Sequence, residues 1–254
     1  MMSRLALAGL VSSSIAGAVS AQSLHGIGLL PDGWSSTANA VSGDGKVVVG
    51  NAQTRQGTRA VRWTLQSGIE VLPVLPNTVT SVCWSVNRDG SVCVGDCELP
   101  SPRAVRWTKL GLEPIGTLPG CDSATALAVN DDGTVITGYA SGDGKMPGFR
   151  WTASAGMQAL PTPPDWQSCN GFAISGDGNV IAGIGHSATR LSCAFRWTAS
   201  DGVQDLGTLR GGSMACAQGM SRDGTTVVGF SSGVADGSSP VSYTHLTLPT
   251  ILRV

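Results

Sequence analysis

Charge is scarce in this chain. Only 13% of its 254 residues are Asp, Glu, Lys or Arg, and the formal net charge is −1. No basic stripe exists that could neutralise a row of phosphates, so nucleic acid and anionic membrane surfaces are poor partners. Aromatic residues make up 5%, and histidine occurs three times, at His25, His186 and His245. Nothing in the spacing of its few histidines nominates a Ser/His/Asp triad. No metal-type CxxC pair occurs either; Cys93 and Cys97 share a single three-residue gap without a second pair. No catalytic residue, metal or cofactor is therefore expected. Beyond the N-terminal stretch no apolar run approaches the ~20 residues of a membrane span, and no helix-period stripe of useful length appears.

Glycine, by contrast, is abundant at 35 residues, with many Ser and Thr, as expected for short strands joined by tight turns. The glycines are ordered. A tetrapeptide [Ser/Asn]-x-Asp-Gly occurs five times, with Asp44-Gly45, Asp89-Gly90, Asp132-Gly133, Asp177-Gly178 and Asp223-Gly224 as its second half. A further glycine follows five residues later each time, at Gly50, Gly95, Gly138, Gly183 and Gly229. Four units then carry Arg-Trp-Thr, with Arg62-Trp63, Arg106-Trp107, Arg150-Trp151 and Arg196-Trp197. The arginines are 44, 44 and 46 residues apart. Such a period marks an array of structural units, and a residue present in every unit serves the architecture first.

The pattern within a unit predicts an antiparallel blade. Ser42-Gly43-Asp44-Gly45 has the composition of a type I turn, and a left-handed glycine at its end is expected to form the bulge that fits the turn to strand twist. The returning strand is apolar throughout, as in Val47-Val48-Val49, which suggests burial on both faces. In the third strand, period two separates Val61 and Trp63 from Arg62 and Thr64. A glycine turn leads to a fourth strand with a polar residue near its middle (Glu70, Glu113, Gln158 or Gln204), suited to an exposed edge. Four strands of ~5–6 residues with ~4–6-residue connections account for a period of about 45. The fold class expected is all-β: repeated four-stranded antiparallel blades, β-propeller-like and incomplete, with four units and part of a fifth. A parallel β-helix is the rival, disfavoured by a hairpin in every unit.

The ends read differently. Residues 1–21 have Arg4, an apolar stretch from Leu5 to Val19 and a Val19-Ser20-Ala21 ending, the pattern of a secretory signal peptide. Residues 22–240 carry the repeats. Residues 241–254 depart from them, and the string Val241 to Thr250 resembles one reading frame of a common transposase-type sequencing adapter. That segment is expected to be non-natural, with the repeat domain truncated before its fifth Arg-Trp-Thr strand.

Seven cysteines lie in the repeat part, an odd number at unequal places: Cys83, Cys93, Cys97, Cys121, Cys169, Cys193 and Cys216. They are expected to be isolated small core residues with one or two local bridges. The five repeated aspartates read as turn residues rather than calcium ligands, since each turn offers one or two acids. The repeated arginines read as hydrogen-bonded to carbonyls or turn acids, with an anion-lined channel as the alternative. Asp122 and Asp165 are non-repeated acids and read as solvated loop residues. Trp34, Trp84 and Trp166 fall outside the Arg-Trp-Thr strands, and Trp34 and Trp166 follow Pro-Asp or Pro-Pro-Asp segments; these tryptophans read as wedges between blades or, alternatively, as exposed platforms for sugars.

At these residues the chain resembles the HAF family of extracellular repeats. The resemblance rests on Leu206-Gly207-Thr208-Leu209-Arg210-Gly211-Gly212, on the Asp-Gly hairpins and on the Phe-Arg-Trp-Thr strands, and covers about Leu24 to Pro240. The His-Ala-Phe triplet of that family is absent; Arg59-Ala60-Val61 and Cys193-Ala194-Phe195 are two of the segments in its place. The resemblance implies a bacterial secreted or cell-surface protein, in which such repeats sometimes precede an autotransporter barrel or a sorting anchor. The function expected is non-enzymatic binding, adhesion or structural spacing, with a protein or glycan as surface ligand and specificity in loops such as 53–58, 97–103 and 185–192. The alternative is a glycan-active enzyme on a propeller scaffold. Unique acids at one channel mouth would distinguish it.

Overall fold

The computed structural model describes residues 25–187, 191–232 and 246–247. The expected signal peptide and most of the expected non-natural tail lie outside these residues. No helix occurs among them, and the strands form sheets in which chain neighbours are sheet neighbours.

The first sheet contains β1 (Gly33–Val41), β2 (Val47–Thr54), β3 (Gly57–Thr64) and β4 (Gly68–Val71); the second contains β5 (Thr80–Val86), β6 (Cys93–Glu98), β7 (Pro102–Thr108) and β8 (Gly111–Pro114). The third contains β9 (Ser123–Val129), β10 (Val135–Ser141), β11 (Met146–Thr152) and β12 (Gly156–Ala159); the fourth contains β13 (Trp166–Ile174), β14 (Val180–Ser187), β15 (Cys193–Thr198) and β16 (Gly202–Gly207). The last has β17 (Ala215–Met220) and β18 (Thr226–Ser231), with a two-residue β19 (Leu246–Thr247) beside β18. That pairing is made through the backbone, which any sequence supplies. Within each sheet the pairing is antiparallel, and a short parallel pairing of Met146 and Pro147 with Ser168 and Cys169 joins the third sheet to the fourth.

The sheets stack as propeller blades. Each first strand packs on the second and third strands of the preceding sheet and beside its first strand: β5 on β2, β3 and β1; β9 on β6, β7 and β5; β13 on β10, β11 and β9; β17 on β14, β15 and β13. First strands are therefore innermost, and β4, β8 and β12 form the outer edge, where the last two residues of each are exposed. The sheets make an open arc. The core lies between blades: Val94 and Ala104 of the second meet Ala124, Ala126, Ile136, Phe149 and Trp151 of the third. Burying a side chain such as Phe149 contributes about 1.5–3 kcal/mol.

The hairpin turns follow from their sequence. The N–H of Gly45 donates to the Ser42 carbonyl at 2.9 Å, and Gly45 is left-handed at φ 73°. Gly90, Gly133, Gly178 and Gly224 repeat this conformation, which costs other residues roughly 1–2 kcal/mol. The register shift does not fall at this glycine, contrary to expectation. It falls inside the first strand, opposite the second repeated glycine: Asn39, Trp84, Leu127, Phe172 and Gln218 are the residues passed over. A Cβ at Gly50, Gly95, Gly138, Gly183 or Gly229 would lie within 2.0 Å of the carbonyl oxygen of Thr37, Val82, Thr125, Asn170 or Cys216. The bulge forms where two backbones meet that closely.

All seven cysteines are thiols, and six are buried; the expected local bridges do not form among them. Burial pushes the Cys169 thiol up to about 12 and Cys216 up to about 11.

Candidate functional site

Two sets of polar side chains recur at equivalent places and a third set of equivalent positions varies; the first is the turn. Ser42, Ser175 and Ser221 donate to the carboxylates of Asp44, Asp177 and Asp223, and those carboxylates accept the backbone N–H of Lys46, Asn179 and Thr225. Asp89 and Asp132 accept the N–H of Ser91 and Thr134 in the same way. All five carboxyls are held below the usual carboxylate range, chiefly by the side chains of Ser42, Ser91, Thr134, Ser175 and Ser221, and Asp223 falls to about 2. Each acid is thus engaged by its own turn. Among the described residues no three His, Cys, Asp or Glu side chains gather in the manner of a metal site.

The turns also bond to one another. The N–H of Arg88 donates to the Asp131 carbonyl, Asp131 N–H to Gly176, and Gly176 N–H to Arg222. In the first step the donor is Asp44, onto Arg88. The variable second position of the tetrapeptide therefore forms a belt around one end of the arc. Its side chains interlock: Arg222 pairs with Asp131, and Arg88 lies 4.0 Å from the same carboxylate. A groove here is lined by Asp131, Gly176, Asp177, Ser221, Arg222 and Asp223.

The Arg-Trp strand is the second set. Its tryptophan faces the preceding blade and its arginine the following one. Trp107 donates through Nε1 to the Pro73 carbonyl, 2.7 Å away on the link from the first blade. The Arg106 guanidinium sits 4.7 Å from the ring centre of Trp151 in the third blade, a cation–π contact. Arg150 donates to the Gly178 carbonyl of the fourth blade at 3.4 Å. The polar residues of the fourth strands stand directly across from these arginines: Arg62 and Glu70, Arg106 and Glu113, Arg150 and Gln158, Arg196 and Gln204. Arg106 bonds Glu113, and Arg196 bonds Gln204 at 3.2 Å. These residues lie on the outer strand, suited to an exposed edge, and their registered partner is the arginine. Arg196 also keeps a buried Nε without a bond.

The third set varies from blade to blade. The bulge residue and the residue after the second glycine form the pairs Asn39/Asn51, Trp84/Asp96, Leu127/Tyr139, Phe172/Ile184 and Gln218/Phe230. Asn39 donates to Asn51 at 3.2 Å, and the Trp84 indole N–H to Asp96 at 2.8 Å. Asp96 is 9% exposed, and burial pushes its carboxyl up to about 6 against the Trp84 hydrogen bond, with the Glu98 charge raising it further. Neither Asp96 nor Trp84 stands out by spacing as a site. Their signal is that they depart from the repeat at repeat-equivalent positions.

The remaining candidates scatter. Trp166 is buried against Phe195, ring centres 6.3 Å apart, whereas Trp34 is 63% exposed. Asp122 and Asp165 are exposed in connections, and Arg103 bonds the backbone carbonyl of Asp122 at 2.9 Å. Ser168 and His186 share a hydrogen bond of 2.7 Å within the fourth blade.

No family model matches the sequence and no curated protein matches it. Solved structures do resemble the fold. TolB from Acinetobacter baumannii aligns with a TM-score of 0.57 at 15% identity, over 83% of this chain and 51% of that one. A putative TolB from Agrobacterium tumefaciens aligns at 0.56 and 14%, over 87% and 85%. A puromycin hydrolase aligns at 0.57 and 14%, over 85% of this chain and 36% of the hydrolase. This chain thus spans about half of the first of these proteins and about a third of the hydrolase. At such identities the likeness shows the β-propeller-like fold alone.

Proposed function

We propose that this is a secreted or cell-surface bacterial repeat protein that binds a ligand without chemical turnover. The HAF-like repeats and the leader-like N-terminus support export. One observation carries the binding reading: the polar residues that recur from unit to unit are engaged by the scaffold. The Asp-Gly acids hold their turns, and the Arg-Trp pairs bridge blade to blade. Diversity lies in the loops, in the second turn position and in the bulge pairs, the arrangement of a frame presenting a variable surface. The chain assayed on bacterial surface material and on a panel of polysaccharides should bind and show no hydrolase or lyase activity. Turnover abolished by replacing a single non-repeated acid would overturn this reading.

The alternative, a glycan-active enzyme, draws on Asp96. A carboxyl whose proton is held up to about 6 has the property of a general acid. The nearest acid in sequence, Glu98, stands two residues along the same strand and accepts a hydrogen bond from Thr80 at 2.6 Å. Under this reading the same panel would show turnover that Asp96→Asn abolishes.

A further inference from the structure

We infer that Trp84, Asp96 and Glu98 of the second blade form a receptor for a cationic group, such as a lysine or arginine side chain of a peptide.

The inference begins with position. Trp84 is the bulge residue of β5, an innermost strand flanked by β1 and β9. It remains 39% exposed although the frame buries Trp107, Trp151, Trp166 and Trp197. Its indole N–H is already donated to Asp96. What Trp84 leaves for a ligand is therefore the π face of its ring, whose negative quadrupole attracts cations.

The groups behind the ring have the same polarity. Asp96 and Glu98 are two apart on β6 and so project from one face. Each already takes one neutral donor, from Trp84 and from Thr80 respectively. The charge acting on Asp96 is that of Glu98, and it is repulsive. Val94 lies on the same face, and Arg106, the residue across from it, is committed to Glu113 and Trp151. Two carboxyls and an aromatic face thus stand together with hydrogen-bond acceptors in excess. An ammonium or guanidinium group supplies both the donors and the opposite charge. A neutral sugar would stack on the ring but leave the repulsion in place.

The other blades sharpen the point. The equivalent pairs are Asn39/Asn51, Leu127/Tyr139, Phe172/Ile184 and Gln218/Phe230. Only the second blade puts an acid at this level. The receptor is thus built into one unit of a repeating frame, as a site rather than a scaffold element would be. The inference holds whether or not the protein is exported, and so goes beyond the reading above.

The test uses the whole chain and a tetralysine peptide, followed by calorimetry and tryptophan fluorescence, with cello-oligosaccharide as the neutral probe. Tetralysine should bind in low salt, shift the tryptophan emission and weaken as salt rises. Asp96→Asn and Trp84→Leu should each weaken it by about tenfold or more, and Glu98→Gln by less. Far-ultraviolet circular dichroism and the unfolding midpoint confirm that each variant folds. Glu98→Gln, a change at the more accessible end of the site, serves if the other two do not. Absence of tetralysine binding, binding indifferent to these folded variants, or equal binding of the neutral sugar would overturn the inference.

Discussion

Arg222 reaches across Gly176 to the carboxylate of Asp131, 91 residues earlier in the chain. Gly176 makes this passage possible. A Cβ there would lie 2.7 Å from Cγ of Arg222 and 2.8 Å from Asp131. Gly43 stands in the same relation to Arg88, with a Cβ position 2.8 Å from its Cγ. A glycine at the second turn position of one unit therefore accommodates an arginine at that position of the next. Asp131→Asn should lower stability by about 0.5–1 kcal/mol at low ionic strength, with the loss fading in 1 M salt, because the arginines are largely exposed. Urea midpoints at the two salt concentrations check this.

The two repeated glycines should respond differently to substitution. Gly138→Ala places a methyl group 2.0 Å from the Thr125 carbonyl oxygen, and the strands must part. The expected loss is about 3 kcal/mol. Gly45→Ala meets nothing within 4 Å and pays only for its left-handed backbone, about 1 kcal/mol. Chemical denaturation of the two variants separates these costs. Equal losses would contradict the close approach.

Arg106 and Trp151 should be coupled although they belong to different blades. Arg106→Lys keeps the charge but loses the planar group over the ring, and about 1 kcal/mol of stability should go with it. A double-mutant cycle with Arg106→Ala and Trp151→Leu should show a coupling of about 0.5–2 kcal/mol. No coupling would mean that the arginine serves only its own blade.

Acid should act through Asp96 and Asp223 in opposite directions. The Asp96 carboxyl is raised to about 6 by burial, so the folded state binds its proton more tightly than the unfolded chain does. Its contribution is complete below the ordinary carboxylate pKa and is lost as pH rises from about 4 to about 6, by about 2–3 kcal/mol. Asp223, depressed to about 2 by the Ser221 hydrogen bond, contributes above the ordinary value and is lost as pH falls from about 4 through 2. Stability measured against pH should fall on both sides of about pH 4–5. Asp96→Asn should flatten the upper limb and Asp223→Asn soften the lower.

The hairpins were legible because a left-handed glycine after Asp has few uses other than a turn, and the run Val47-Val48-Val49 announced a strand buried on both faces. The blade followed from period and strand count. The bulge was not legible at its true place. Its cause is the clash between Gly50 and the Thr37 backbone, a contact between residues whose pairing must be known first. The pairing of Arg62 with Glu70, or of Arg106 with Glu113, was present as a constant spacing, but polar residues at an edge also have a generic explanation. The facing of arginine and tryptophan toward opposite neighbours is a relation between units, which reading one unit at a time does not expose. Asp96 is hidden for the opposite reason: it neither repeats nor lies in a loop, and its burial is visible only once the blades are stacked.

The belt of bonds between the turns runs in one direction. The second, third and fourth units each offer a donor to their successor and an acceptor to their predecessor. A whole unit could be excised or duplicated between two turns, and the groups left facing each other would still match. Removal of part of a unit would bring unlike surfaces together. A change of length by complete periods is thereby compatible with the backbone bonds of the belt.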